Sequence, residues 1–254
     1  MMSNSQTKFI ITCAPRTGST MLRMMLNSHP EIACYGEVMT LKGEPNLGKK
    51  HQNYIGKTSQ ELAQIRAENP ANFLYNYIWN QEHYQDNCKA IGLKLKYRQL
   101  QEEFKDVFQA ILDDKEIRII HLTRRNLLKR YISNRLAASG KTSTVIFNSE
   151  KSQLQPKVTV DVDKCIEDIL SVQQTEAQFR KEFKQHKIFE VAYEELVMSN
   201  SKILAKLMNF LEVDFINLQP VTEKVNSDSL EDIIENYDVV KNKLSQTKYA
   251  TFIG

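Results

Sequence analysis

Phe9-Ile10-Ile11-Thr12-Cys13, Ala14-Pro15-Arg16-Thr17-Gly18-Ser19-Thr20 and Met21-Leu22-Arg23-Met24-Met25-Leu26 follow one another without a break. The first piece is a short apolar, β-rich run and reads as a buried strand. The second is a turn carrying Pro15 and Gly18, and the third has the apolar spacing of a helix. Strand, tight loop and helix together aim backbone N–H groups at an anion. The first turn of a helix has unpaired donors and the positive end of its dipole, so phosphate or sulfate sits there readily. Gly18 lets the backbone come close to such a ligand, and Thr17, Ser19 and Thr20 add hydroxyl groups.

The form of this loop that binds nucleoside triphosphates is GxxxxGK[ST], with Lys on the phosphates and a hydroxyl on magnesium. Here Ser19 follows Gly18, so that lysine is missing, and Arg16 supplies a cation two places before the glycine. The loop suits a phosphate-like group but not Mg-ATP in the usual way. Its plainer reading is a strand-to-helix turn in which Ser or Thr serves only as N-cap.

Outward from the loop, 254 residues suit one α/β domain with an inserted lobe, spanning 1–254. Hydrophobic residues make up 41% and charged residues 26%, ordinary for a globular chain. The net charge of +3, from 34 basic and 31 acidic residues, is too small for wrapping nucleic acid, so any basic site is local. Cys13, Cys34, Cys88 and Cys165 are scattered with no CxxC pair, which argues against a disulfide framework or a zinc site. No signal-peptide core and no apolar run of about 20 residues is present, so a cytoplasmic protein without a transmembrane segment is expected.

After the first helix, Asn27-Ser28-His29-Pro30 stops it. His29 is a candidate base, but a histidine beside proline in such a turn is more often structural. Ile32–Tyr35 reads as a second strand that delivers Gly36-Glu37 to a strand end, where α/β proteins place their chemistry. From the local stretch alone Glu37 is a solvated loop carboxylate; partial burial would raise its pKa. Residues 40–90 form the inserted helical lobe, with a capping box at Thr58–Glu61 and a helix start at Asn69-Pro70. Phe73, Tyr75, Tyr77, Trp79 and Tyr84 read as lobe core or as an acceptor cleft. Ile91–Lys96 reads as a strand and Gln101–Leu112 as a helix.

Ile117–Thr123 is the clearest interior strand. It leads to Arg124-Arg125-Asn126 and a helix over Leu127–Ala138, on which Ser133 lies a little over two turns beyond Arg125. Both can reach one phosphate, although an ordinary basic helix face would look alike. Residues 139–160 read as a mobile loop, a candidate lid. A helix over Asp163–Gln185, a strand over Lys187–Ala192 and a helix from Ser199 or Ser201 to Leu211 follow, with an amphipathic helix over Asp228–Leu244 at the end. This alternation predicts an α/β fold with a central parallel sheet flanked by helices.

Three separated stretches agree with one family. The chain resembles the sulfotransferases that use 3′-phosphoadenosine-5′-phosphosulfate (PAPS), whose phosphosulfate loop reads close to PR[ST]G[ST][ST]; here it is Pro15–Thr20. Leu122–Asn126 with Ser133 is similar to the family's 3′-phosphate site. Tyr193-Glu194-Glu195-Leu196 and Phe210-Leu211 match a further strand-to-helix segment. Asn27–Pro30 and Cys34–Glu37 look like the tyrosylprotein and trehalose branches, in which the glutamate is the base. The cytosolic branch's loop lysine and histidine base are not in place.

The resemblance implies a P-loop nucleotide-hydrolase-like architecture and a metal-free transfer of a sulfuryl group from PAPS to an acceptor hydroxyl. It implies Glu37 as base and Arg16, Thr17, Gly18, Ser19 and Thr20 around the 5′-phosphate. Arg125 and Ser133 would hold the 3′-phosphate, Tyr193 the adenine side, and Lys224 would close over the nucleotide. The expected acceptor is a small molecule or glycan, above all a carbohydrate or glycolipid hydroxyl. Two rivals stand beside this reading. One is a P-loop kinase or NTPase, which the missing lysine opposes; the other is a non-catalytic relative that binds the nucleotide or an acidic glycan.

Overall fold

The computed structural model describes residues 6–140, 156–198, 201–219 and 229–253. Among them, five parallel strands form one sheet: β1 (Thr7–Cys13), β2 (Ile32–Tyr35), β3 (Ala90–Lys96), β4 (Arg118–Thr123) and β5 (Ile188–Ala192). Their order is β2-β3-β1-β4-β5. α1 (Ser19–Asn27) carries the chain from β1 toward the β2 edge. α6 (Leu127–Ala138) and α7 (Val162–Glu182) carry it from β4 toward the β5 edge. The chain thus leaves the neighbouring strands β1 and β4 in opposite directions. A sheet opens a crevice beyond its carboxyl ends at such a reversal.

The middle of β1, Phe9–Ile11, is apolar on both sides because both faces of the sheet are covered there. Phe9 and Ile11 pack with Leu22, Met25 and Leu26 of α1 and with Leu204, Leu207 and Leu211 of α9 (Ser201–Leu211). Ile10, on the other face, shares a core with Leu93, Leu95, Ile119 and Phe179. Gly92 of β3 lies under the Phe9 ring, where a Cβ would fall 2.4 Å from ring carbons. Only glycine lets the ring cross that strand.

Between β2 and β3 run α2 (Lys49–Ile55), α3 (Ser59–Glu68) and α4 (Pro70–Phe73), the last extended by a π-helical turn over Leu74–Ile78. The capping box at Thr58–Glu61 forms, and Asn69 caps α4 with Pro70 in its first turn. Phe73, Trp79 and Tyr84 are buried, and Tyr75 and Tyr77 pack against the same core as Leu93 and Leu95. Of the two readings of this aromatic run, the structure has the core. The Tyr84 hydroxyl donates to the Ile78 carbonyl at 2.6 Å and lies 2.7 Å from the Tyr35 hydroxyl, so its polar tip is satisfied inside.

Two helices differ from the sequence expectation. In place of one helix over Gln101–Leu112 there is a π-helical turn over Gln99–Glu103, then Phe104 out of helical conformation, then α5 (Lys105–Asp113). The Gln99 side chain accepts from the Lys96 N–H and donates to the Met39 carbonyl, tying this turn to the ends of β3 and β2. In place of one C-terminal helix there are α10 (Leu230–Ile233) and α11 (Tyr237–Ser245). Ile234 between them is extended and forms a parallel bridge with Val158, and the Asn236 side chain brackets Val160 through its N–H and carbonyl. A tertiary pairing has overridden the helical pattern there.

His29 is buried in the helix-stop turn. Its Nε2 lies 2.9 Å from the Asp214 carbonyl and its Nδ1 accepts from the Glu31 N–H. It precedes β2 and therefore sits at the end of the sheet opposite the crevice, with a structural role. The cysteines are free and buried. No described helix is long and apolar enough to cross a membrane.

Candidate active site

The loop between β1 and α1 adopts an unusual backbone. Arg16 has φ +65° and Gly18 has φ +88°, both left-handed. For Arg16 this costs roughly 1–2 kcal/mol, which the surroundings must hold in place. Gly18 is the N-cap of α1 and no side chain caps the helix. Among the described residues, the N–H groups of residues 16–20 have no protein acceptor. Unpaired donors at a helix start fit an anion, so the residues present suit the phosphosulfate group that the loop pattern implies.

The Thr17 hydroxyl donates to the Ala14 carbonyl at 2.6 Å, closing the loop on itself; only its backbone N–H is left to offer a ligand. Burial pushes the Cys13 thiol, at the end of β1, above its ordinary pKa. Arg16 reaches across the crevice, its Nε donating to the Ser133 hydroxyl on α6 at 3.1 Å. The Tyr193 ring, in the first turn of α8 (Tyr193–Val197), lies against Gly18, and the Arg124 guanidinium stands 5.0 Å over that ring.

Arg125, expected beside Ser133, instead ion-pairs with Glu195 at 2.5 Å and is largely exposed. Glu194 accepts from the N–H groups of Arg125 and Asn126, so the Tyr-Glu-Glu segment after β5 braces the start of α6. The structure brings Arg16, Ser133, Gly18 and Tyr193 together; Arg125 lies beside them with its charge engaged by Glu195. Lys224 and residues 141–155 of the expected lid lie outside the described residues.

Glu37 follows β2, and its two carboxylate oxygens are each held by a lysine of β3. Lys94 lies 2.9 Å from Oε1 and Lys96 2.9 Å from Oε2. The buried Lys94 also comes within 3.5 Å of the Thr20 hydroxyl in the first turn of α1. Burial acts to raise the Glu37 pKa, but the hydrogen bonds and charges of Lys94 and Lys96 outweigh it, and the net shift is downward. The expectation of a raised value is thereby corrected: two adjacent cations favour the ionised form more than partial burial opposes it.

Sequence reasoning passed over Lys94 and Lys96. The signal was present: lysines alternating with leucine on a strand, in a sheet whose two faces are both covered, need an anionic partner rather than solvent. His121, on β4, faces α7 instead of the loop. It is fully buried and stacked on Phe179, with its ring nitrogens on Glu190 (2.9 Å) and on the Tyr97 hydroxyl (2.6 Å).

The parallel sheet, the left-handed loop between β1 and α1 and the carboxylate held by two strand lysines beside that loop make up the candidate site. The family model for the sulfotransferase family matches residues 8–217, and the chain belongs to that family: it is a sulfotransferase. It is similar to nodulation protein H of Rhizobium tropici, at 23% identity over 247 residues, 96% of this chain and 92% of that protein. Two solved structures share its fold. One is the sulfotransferase domain from the curacin biosynthetic pathway (16% identity, TM-score 0.55, 89% of this chain and 82% of that one). The other is the sulfotransferase domain from the Synechococcus PCC 7002 olefin synthase (17%, TM-score 0.53, 100% and 88%). Family membership sets the kinase or NTPase reading aside.

Proposed function

We propose that this sulfotransferase takes its sulfuryl group from PAPS and delivers it to a carbohydrate or glycolipid hydroxyl, with Glu37 as general base. The observation that carries the proposal is the Glu37 carboxylate held between Lys94 and Lys96 beside the helix start that bears Thr20. The donor supplies a sulfuryl group bound to its 5′-phosphate and leaves as adenosine 3′,5′-bisphosphate. Arg16 and the N–H groups of Thr17 to Thr20 face the 5′-phosphate and stabilise the charge that grows there as its bond to sulfur breaks. Glu37 takes the proton of the acceptor hydroxyl as the new O–S bond forms. Lys94 stands between base and loop, a point charge able to serve either anion.

Ser133 and Arg125 hold the 3′-phosphate, for which Arg125 exchanges Glu195 for the ligand. Tyr193 borders the adenine side, and Lys224 closes over the nucleotide. No metal is required, because the charge is met by Arg16, Lys94 and backbone dipoles. The carbohydrate acceptor rests on the likeness of Pro15–Thr20 and Cys34–Glu37 to the carbohydrate and trehalose branches.

The test is incubation with PAPS labelled in the sulfuryl group and fractionated glycans and glycolipids, without added magnesium. Label is expected in a carbohydrate-containing product identified by mass spectrometry, with adenosine 3′,5′-bisphosphate released in equal amount. Label appearing only in non-carbohydrate products would overturn the acceptor assignment. Failure to bind the bisphosphate more tightly than AMP would overturn the donor assignment.

A further inference from the structure

Three successive carbonyls of the loop between β1 and α1, those of Ala14, Pro15 and Arg16, each accept from a side chain. Thr17 bonds the Ala14 carbonyl. The Arg130 guanidinium reaches the Pro15 carbonyl at 3.3 Å, and Arg124 reaches the Arg16 carbonyl at 3.1 Å. A trans peptide is planar, with its C=O and N–H pointing in opposite directions. A donor that holds the Pro15 carbonyl outward therefore turns the Arg16 N–H inward, and one on the Arg16 carbonyl does the same for the Thr17 N–H. Ala14 precedes a proline, so its peptide has no N–H to aim, and a threonine hydroxyl rather than a guanidinium serves there.

Arg130 is among the largest fully buried side chains of the described residues. Besides the Pro15 carbonyl it bonds the Asp168 carboxylate of α7, while its Nε has no partner. A buried guanidinium on a carbonyl and one carboxylate is a costly device for mere packing, since an apolar side chain fills such space without desolvating a charge. Neither Arg130 nor Asp168 is needed as a ligand in the transfer described above.

We propose that Arg130, anchored by Asp168, is a positioning residue that fixes the Pro15–Arg16 peptide so that its N–H faces the donor's 5′-phosphate, with Arg124 doing the same for the next peptide. α7 is thereby coupled to the anion loop, and the left-handed Arg16 is kept in register without a ligand. The inference rests on the donor reading, and it predicts which part of the nucleotide feels the change. The clamp acts on the loop, so its loss weakens every ligand that has a 5′-phosphate by the same factor. Arg125→Ala, in contrast, alters the preference for the bisphosphate over AMP.

The experiment measures calorimetric affinity for adenosine 3′,5′-bisphosphate and for AMP in Asp168→Ala and Asp168→Glu, together with a crystal structure of Asp168→Ala. Asp168→Ala is expected to weaken both nucleotides about tenfold or more, the scale of one lost hydrogen bond to a charged group. Their ratio should stay constant, the Pro15–Arg16 peptide should be rotated, and Asp168→Glu should recover affinity. If Asp168→Ala does not fold, Arg130→Met removes the buried charge together with the bond and is measured in the same way. Wild-type affinity for both nucleotides, a changed ratio, or an unmoved peptide would overturn the clamp. If the wild-type protein binds neither nucleotide, the donor reading falls, and the peptide's orientation in the variant decides the clamp by itself.

Discussion

Replacing Gly18 by alanine tests the geometry of the anion loop directly. The new Cβ would lie 2.3 Å from Cδ2 and 2.8 Å from Cε2 of Tyr193, so ring or loop must move. The ring has little room, because Arg124 stands 5.0 Å over it. Crowding of this kind costs roughly 1–3 kcal/mol. Gly18 also has φ +88°, and an L side chain held left-handed adds roughly 1–2 kcal/mol. Together Gly18→Ala should destabilise the protein by about 2–5 kcal/mol. In urea, with a slope of about 3 kcal/mol per molar, the midpoint should fall by roughly 1 M. A double-mutant cycle with Tyr193→Ala separates the two costs. The crowding should vanish in the double variant as a coupling of about 1–3 kcal/mol, while the backbone cost remains. A Gly18→Ala protein that unfolds at the wild-type midpoint would refute the reasoning, and strict additivity in the cycle would refute its steric half.

Glu37→Gln should leave calorimetric affinity for adenosine 3′,5′-bisphosphate intact and lower turnover by about 10²–10⁴, as removal of a general base does; wild-type turnover would move the base elsewhere. The acid limb of kcat/KM should lie below the ordinary range for glutamate, because the lysines hold the Glu37 pKa down. Removing both counter-charges in Lys94→Met/Lys96→Met leaves burial acting alone, so that limb should move to higher pH; an unchanged limb would dissociate it from Glu37. Glu190 resists protonation in the fold: burial raises its pKa, but hydrogen bonds from His121 and Arg180 bring it to about 2, against 4.5 ordinarily. A lowered carboxylate contributes stability that is present above pH 4.5 and lost as pH falls toward 2. Urea titrations across that window should show a decline that Glu190→Gln flattens.

The parts of this molecule legible in its sequence are those whose causes lie within a few residues. The strand, loop and helix around Gly18 announce themselves by composition, and the Leu127–Ala138 helix has the expected bounds because Asn126 caps it locally. The Thr58–Glu61 box is equally local. The break at Ile234 is not, since it arises from pairing with Val158, 76 residues earlier. The clamp on Glu37 was hidden for a related reason: Lys94 and Lys96 are 57 and 59 residues further along the chain and meet it only because β2 and β3 pair. Arg125 shows a different limit. Spacing places it at the mouth of α6, but its partner, Glu195, belongs to a segment 70 residues away.

The position of β3 between β2 and β1 has a geometric consequence. Hydrogen-bonded strands lie about 4.7–4.9 Å apart, so two ladders set β2 roughly 10 Å from β1. Glu37 leaves the first of these strands and the anion loop leaves the second, and the sheet therefore works as a ruler whose marks are peptide hydrogen bonds. The segment carrying α2, α3 and α4 departs from β2 and returns on β3, its immediate neighbour. That segment braces the same end of β2: Arg66 of α3 donates to the Val38 carbonyl beside Glu37, and the Tyr84 hydroxyl meets that of Tyr35.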